Sequence, residues 1–354
     1  FMLSLTLGLA AGGAIAQDSI TLGMVLEPPN LDPTANAAAA VDEVVYGNIF
    51  QGLTRIAPDG TVQPALAEGW EVHDGGRTYV FHLRPGVTFH DGSGFDAQDV
   101  IFSLDRARAP ESTNAQKALF AGIKTVTAPD PQTVWVALSA PDGAFPFKMA
   151  WGDAVMLDPA TAAQAATRPV GTGPFRLAEW KQGDHVTLEA FDGFWGPKPA
   201  IRQATFRFIP DPSAAFAALM AGDIDAFPIY PAPETLPQIQ ADPRFKVLIG
   251  TTEGETILAM NHKTPALADR RVRAAIAHAI DRDALIDGAM YGHGTPIGSH
   301  FAPHHPDYVD LTGLSAHDPE RARALLAEAG ATDLTLRLAL PPPPYACLLY
   351  TSDA

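Results

Sequence analysis

"PALAEGWEVHDGGRTYVFHLRPGVTFHDGSGFDAQDVIFSLDRA", residues 64–107, switches hydrophobic period part-way along. In RTYVFHL (77–83), Tyr79, Phe81 and Leu83 recur at every second position, which places them on one face of a β-strand. Beyond Asp96 the spacing lengthens. Val100, Ile101 and Leu104 share one face of a helix, and Asp96 stands where a side-chain oxygen caps its first turn. Asp-Gly pairs in HDGG (73–76) and HDG (90–92) mark reversals of the chain. A strand, a turn and a capped helix therefore follow one another here.

The same pattern repeats outward. HVTLEAF (185–191) alternates with Val186, Leu188 and Ala190 on one face; QTVWVAL (132–138), ATFRFI (204–209) and DLTLRLAL (333–340) have the same strand-like reading. Asp211 can cap a helix that has Pro212 at its first position, Phe216, Leu219 and Met220 on its apolar face, and Gly222 just past its end. HDPERARALLAEAG (317–330) repeats the device with Asp318, Pro319, Leu325, Leu326 and Gly330. APDG and APDP supply further turns, and NAAAAVDEVV (36–45) is a good helix former. Strands interleaved with helices predict an α/β architecture, without solenoid repeats or low-complexity tracts.

Charge narrows the function classes. The chain carries 24 Lys+Arg against 40 Asp+Glu, a formal charge of -16, and such a balance opposes encounter with polyanions, so nucleic acid is not expected as a partner. Its 354 residues, 47% of them hydrophobic, suffice for two cored lobes. The opening FMLSLTLGLAAGGAIAQDS is apolar and ends in Ala14-Ile15-Ala16, small residues suited to a secretory cleavage site after Ala16. Residues 1–16 read as a signal peptide entered part-way, and the protein as exported. A single cysteine, Cys347, excludes a disulfide framework. It lies in CLLYTSDA (347–354), which continues no preceding pattern and reads as a non-native tail.

LADRRVRAAIAHAIDRDALI (267–286) packs four arginines into an acidic chain. Val272, Ala275, Ile276, Ala279 and Ile280 repeat at helical spacing and form a core stripe, with Arg271, Arg273 and His278 off it. Asp269 and Asp281 can cap successive helices. The arginines read as a solvated scaffold face rather than as a phosphate site.

Catalytic signatures are sparse. There is no Gly-x-Ser-x-Gly elbow and no His-Glu-x-x-His pair; Ser93 sits in a short turn. VGTGPF (170–175) lacks the lysine of a phosphate loop. SHFAPHHP offers His300, His304 and His305 as imidazoles suited to zinc, nickel or copper, or simply as loop residues. Glu253 and Glu255 would share one face of a strand, open to an acid pair, a cationic ligand or plain solvent.

Three ordered blocks resemble the family 5 extracellular solute-binding proteins that serve peptide and nickel ATP-binding-cassette importers. The first runs from LDPTANAAAAVDEVVYGNIFQGL through PALAEGWE and FHLRPGVTFHDG to DVIFSLDRA; the second comprises VGTGPFRLAEW, FWGPKPAI and AGDIDAF. The third is MNHKTPALADRRVRAAIAHAIDRDALI with HDPERARALLAEAG. Gly94 and Phe95 depart slightly from the pattern, and family members continue well beyond Gly330. The resemblance implies a type II periplasmic-binding-protein fold with two hinged lobes. Residues 17–45 and 167–262 would build lobe I, 46–166 its inserted subdomain, and 263–346 the start of an incomplete lobe II. VGTGPF becomes a tight turn re-entering lobe I.

The resemblance further implies a monomeric periplasmic protein that captures a di- or oligopeptide between its lobes and hands it unchanged to the permease subunits. It implies no cofactor, no catalytic residue and no metal ligand. A nickel chelate, opine, glutathione or oligosaccharide is the alternative cargo; a secreted hydrolase is the alternative from another class. Ligand contacts carry over onto Asn36, Ala37 and Ala39 after LDP; Trp151 in KMAWGDA; Phe227 and Tyr230 after GDID; and Glu255, Thr256 and Leu258 on a strand leading to Asn261. Phe227 and Leu258 could equally be core, Asn36 a helix cap, and Glu255 the partner of a peptide amine.

Overall fold

Alternation builds the sheets. The computed structural model describes residues 18–35, 37–252, 254–305 and 307–339. Its strands are β1 (Ser19–Met24), β2 (Thr54–Ile56), β3 (Val62–Pro64), β4 (Ala67–His73) and β5 (Thr78–Leu83). After them come β6 (Ile123–Asp130), β7 (Thr133–Leu138), β8 (Phe175–Lys181), β9 (His185–Ala190) and β10 (Gln203–Phe208). The helices are α1 (Ala39–Val45), α2 (Ala97–Arg108), α3 (Phe145–Lys148), α4 (Pro212–Ala221) and α5 (Leu236–Ala241). They continue with α6 (Pro265–Ala268), α7 (Arg270–Ala279), α8 (Arg282–Met290) and α9 (Pro319–Glu328). The chain divides into two compact units, Phe1–Ile229 and Tyr230–Ala354.

The first unit holds two four-stranded sheets. One is antiparallel, in the order β4-β5-β7-β6. Tyr79, Phe81 and Leu83 bury the face that the sequence period predicts, together with Val134, Val136 and Leu138. Helix α2 closes this core with Val100, Leu104 and Ala107. Val80, on the opposite face of β5, is buried as well. The other sheet runs β1-β10-β9-β8, with β1 parallel to β10 and the remaining pairs antiparallel. Val186, Leu188, Ala204 and Phe206 join Val41, Val44 and Val45 of α1 in its core, and Ala190 is buried as well.

Local capping follows side-chain chemistry. Asp96 accepts from the Gln98 amide at 2.7 Å, and Asp99 returns an acceptor to the Asp96 amide at 2.8 Å, a reciprocal capping box. Asp96→Ala is expected to cost about 1 kcal/mol, read as a lower urea midpoint at unchanged slope. In α4, Asp211 accepts from the Ala214 amide and Gly222 ends the helix at a φ of 81°. Ala215 and Leu219 carry the burial there, while Phe216 and Met220 are only half-buried.

The second unit packs α7 against α9 through Ala275, Ala322 and Leu325, flanked by Ala274 and Leu326. Val272 and Ala275 are buried and Ile276 and Ile280 half-buried, but Ala279 at the helix end is exposed, which shortens the expected stripe. The arginines hold neighbouring backbone. Arg271 pairs with Asp269 and donates to the Glu328 carbonyl at 2.6 Å; Arg273 donates to the Leu267 and Ala268 carbonyls at 2.9 Å. Arg282 donates to the Ser315 carbonyl at 2.8 Å, and Asp281 caps α8. The scaffold reading accounts for these three side chains.

Two expected strands do not form. Residues 254–260 and 334–339 carry no strand, and no strand lies in the second unit among the described residues. A β-strand exists only where a neighbour takes up its backbone groups, so alternation alone cannot make one. Ile257, Leu258, Leu336 and Leu338 are accordingly exposed.

Candidate functional site

The LDP turn shapes one corner of the first unit. Leu31 is fully buried, and Asp32 accepts from the Thr34 amide at 2.9 Å and from the Thr34 hydroxyl at 2.6 Å. Arg106 of α2 reaches across with Nη2 3.0 Å from Asp32 Oδ2, while its Nη1 donates to Thr34 Oγ1. Asp32 is 5% exposed, so this is a buried ion pair on the carboxylate side. It positions the single turn Pro33–Ala35 and, through it, the start of α1.

Against that corner packs the turn Gly152–Ala154, led by Trp151. A side chain on Gly152 would overlap the Asp42 carboxylate of α1, so only glycine admits this approach. The Tyr46 hydroxyl donates to the Ala150 carbonyl, and the Asn114 amide donates to the Asp153 carbonyl at 2.9 Å. Trp151 and Phe147 stay more than one-third exposed and meet edge to face, with centroids 6.2 Å apart. The result is an open aromatic pair above a polar, largely buried junction. Burial, reinforced by the charge of Asp153, pushes the Asp42 carboxyl up to about 6; burial also raises Asp153.

VGTGPF is a close-packed turn. Side chains at Gly171 and Gly173 would collide with the Ile49 and Asn48 carbonyls. Thr172, fully buried, donates to Gln51 Oε1 at 3.1 Å. His90 donates from Nε2 to the Gly173 carbonyl at 3.0 Å and accepts at Nδ1 from the Gly171 amide at 3.3 Å. Burial drives its pKa down to about 4 against the opposing pull of the Gly173 carbonyl, so the ring is neutral. Backbone packing explains the glycines. An open groove of about 730 Å³ beside this turn is lined by His90, Arg168, Arg176, Glu179 and Trp180, and none of the expected contact residues lines it.

The expected contacts fall into separate groups. Ala37 and Ala39 lie exposed at the start of α1, in the corner that Trp151 borders; Asn36 lies outside the described residues. Phe227 is half-buried, with its ring across Gly23 of β1 and against Ile209, Ala215 and Ile224, which gives it a packing role. In the second unit the Tyr230 hydroxyl bonds Thr235 Oγ1 at 2.7 Å. Glu255 is mostly buried and lies 3.0 Å from His300 Nδ1, while Thr256 and Leu258 are exposed. Glu253 lies outside the described residues. His305 stacks on Phe301 and accepts from the Asp307 amide, and no three potential ligands gather to hold a metal ion among the described residues.

Asp42, Asp153 and Phe147 were not singled out from sequence. An acid between Val41 and Val44 on a helix with a buried face was the available signal for Asp42. Nothing local announces Asp153.

Comparison with known proteins places these features in a family. The model of the bacterial extracellular solute-binding proteins, family 5 Middle, matches residues 61–353. The glutathione-binding protein GsiB of Pectobacterium atrosepticum is 33% identical over 307 residues, 85% of this chain and 59% of that protein. The dipeptide-binding protein of Escherichia coli K12 is 32% identical over 296 residues, 76% of this chain and 55% of its relative. The chain thus spans between half and two thirds of the length of these relatives. Among solved structures, the periplasmic binding protein AgaA of A. tumefaciens R10, in complex with agropinic acid, superposes with a TM-score of 0.77 at 30% identity, covering 89% of this chain and 65% of its own. The chain belongs to family 5 of the bacterial extracellular solute-binding proteins.

Proposed function

We propose that this chain captures a short peptide for an ATP-binding-cassette importer. The observation that carries the reading is similarity across most of the chain to proteins named for binding glutathione, itself a short peptide, and dipeptides. The corner built from the LDP turn, the start of α1 and the exposed Trp151–Phe147 pair supports it. An aromatic face beside accessible backbone suits a peptide, whose side chains stack and whose amides hydrogen-bond.

In this reading residues 17–45 and 167–262 form lobe I, 46–166 its subdomain, and the stretch from 263 enters lobe II. The two separately cored sheets of the first unit support the subdomain. Ligand contacts available only in the closed form favour closure, so binding shifts a population between open and closed states. The solute leaves unaltered, and the permease reads the closed state. Cleavage after Ala16 would deliver the protein to the periplasm as a monomer; no helix among the described residues is long and apolar enough to cross a membrane.

Native mass spectrometry after incubation with a dipeptide and tripeptide mixture tests this. Peptide mass increments are expected. A metal-chelate increment would transfer the reading to nickel uptake, and turnover of a chromogenic ester or glycoside would replace it with an enzyme. Trp151→Ala is expected to weaken peptide binding about tenfold by calorimetry, with little change in melting temperature because the side chain is exposed.

A further inference from the structure

Two buried carboxyl oxygens of the first unit have no donor among the described residues. Asp42 Oδ1 on α1 and Asp153 Oδ1 on the facing turn are both closed to solvent and make no hydrogen bond. Asp153 as a whole is 8% exposed. The absence of Cβ at Gly152 lets the Asp42 carboxylate settle against the backbone next to Asp153, whose charge acts on Asp42. An ionised carboxylate only accepts, so two such oxygens buried together are unsatisfied unless one carries a proton.

The surrounding groups are engaged elsewhere. The Tyr46 hydroxyl is on the Ala150 carbonyl, and the Asn114 amide is on the Asp153 carbonyl. Lys148 pairs with Asp142. Arg55 acts on Tyr46, Glu43 adds a further acid on α1, and the Gln116 amide favours the ionised form of Asp153. Neither oxygen has a cationic partner among the described residues.

We propose that Asp42 and Asp153 form one proton-binding pair that fastens α1 to the Gly152–Ala154 turn when it holds a proton and loosens this junction when both are ionised. The sign follows from the burial of both acids and, at Asp42, from the charge of Asp153. Both acids hold protons more tightly in the folded chain than in the unfolded one. The junction's contribution to stability is therefore complete below the ordinary value of 3.8, falls as pH rises, and is lost above about 6. Trp151 directly precedes the turn, so a surface at the proposed peptide corner senses the same protonation, although the pair itself depends on no ligand.

Carboxyl-carbon NMR of the aspartate-labelled full chain from pH 4 to 8 tests the pair directly. Asp42 is expected to titrate near 6, and measurably lower in Asp153→Asn. Asp42→Asn, whose amide can donate to Asp153, is expected to raise the melting temperature at pH 7 by about 3 °C and to lose that advantage at pH 4. An Asp42 midpoint near 4, or one that ignores Asp153→Asn, overturns the proposal. Should neither variant fold, the unmodified chain decides. Coupled sites give each carboxyl a two-step curve with shared inflections, and single independent steps overturn the pair.

Discussion

Gly171→Ala should destabilise the first unit by about 3 kcal/mol, enough to leave much of the protein unfolded in mild urea. The added methyl would overlap the Ile49 carbonyl, and backbone cannot swing aside as a long side chain can. Retreat of the turn would break the Gly173 amide bond to the Ile49 carbonyl at 2.9 Å and both His90 contacts. Ile49 and Phe50 are completely buried, so a displacement there spreads into the core beneath α1. Gly94→Ala is the matched control, because nothing stands within 4 Å of its new methyl and its φ is not left-handed. Its effect should stay within about 0.5 kcal/mol. Equal midpoints for the two variants in urea unfolding would show that the turn is not close-packed.

Arg106→Leu should cost about 3 kcal/mol, toward the low end for a broken buried pair because the guanidinium is one-third exposed. The loss arises mainly at Asp32, which keeps its Thr34 contacts but no longer has a cation beside a carboxylate removed from water. Asp32→Asn combined with Arg106→Leu should recover part of that loss, since a neutral amide tolerates burial better than an unpaired charge. A coupling energy of about 1 kcal/mol or more in the double-mutant cycle is the expected result; strict additivity would mean that the two side chains act independently. The turn they hold leads into Ala37 and Ala39, so peptide affinity should weaken in Arg106→Leu beyond what the unfolded fraction explains.

Much of the fold was legible because it is encoded locally. Five aspartates, Asp96, Asp211, Asp269, Asp281 and Asp318, precede helices in the sequence and cap them in the structure, since a cap needs only the next few backbone amides. The faces of β5 and β9 were equally readable, as a period of two leaves little choice about which side chains meet the core. At the candidate site, the LDP turn and Trp151 were visible as motif positions, whereas the role of Gly152 was not. Its meaning lies in a carboxylate more than a hundred residues earlier in the chain.

The sequence by itself determined five helix starts, the core faces of β5 and β9 and membership of the family, all of which rest on neighbouring residues or on ordered motifs. Tertiary structure alone decided three further things: which carbonyls Gly171 and Gly173 pack against, that Asp42 and the Gly152–Ala154 turn meet at a largely buried junction, and that residues 254–260 form no strand. Each depends on what a distant segment brings to the same place. Periodicity along the chain fixes which way a side chain faces but carries no information about what it will meet.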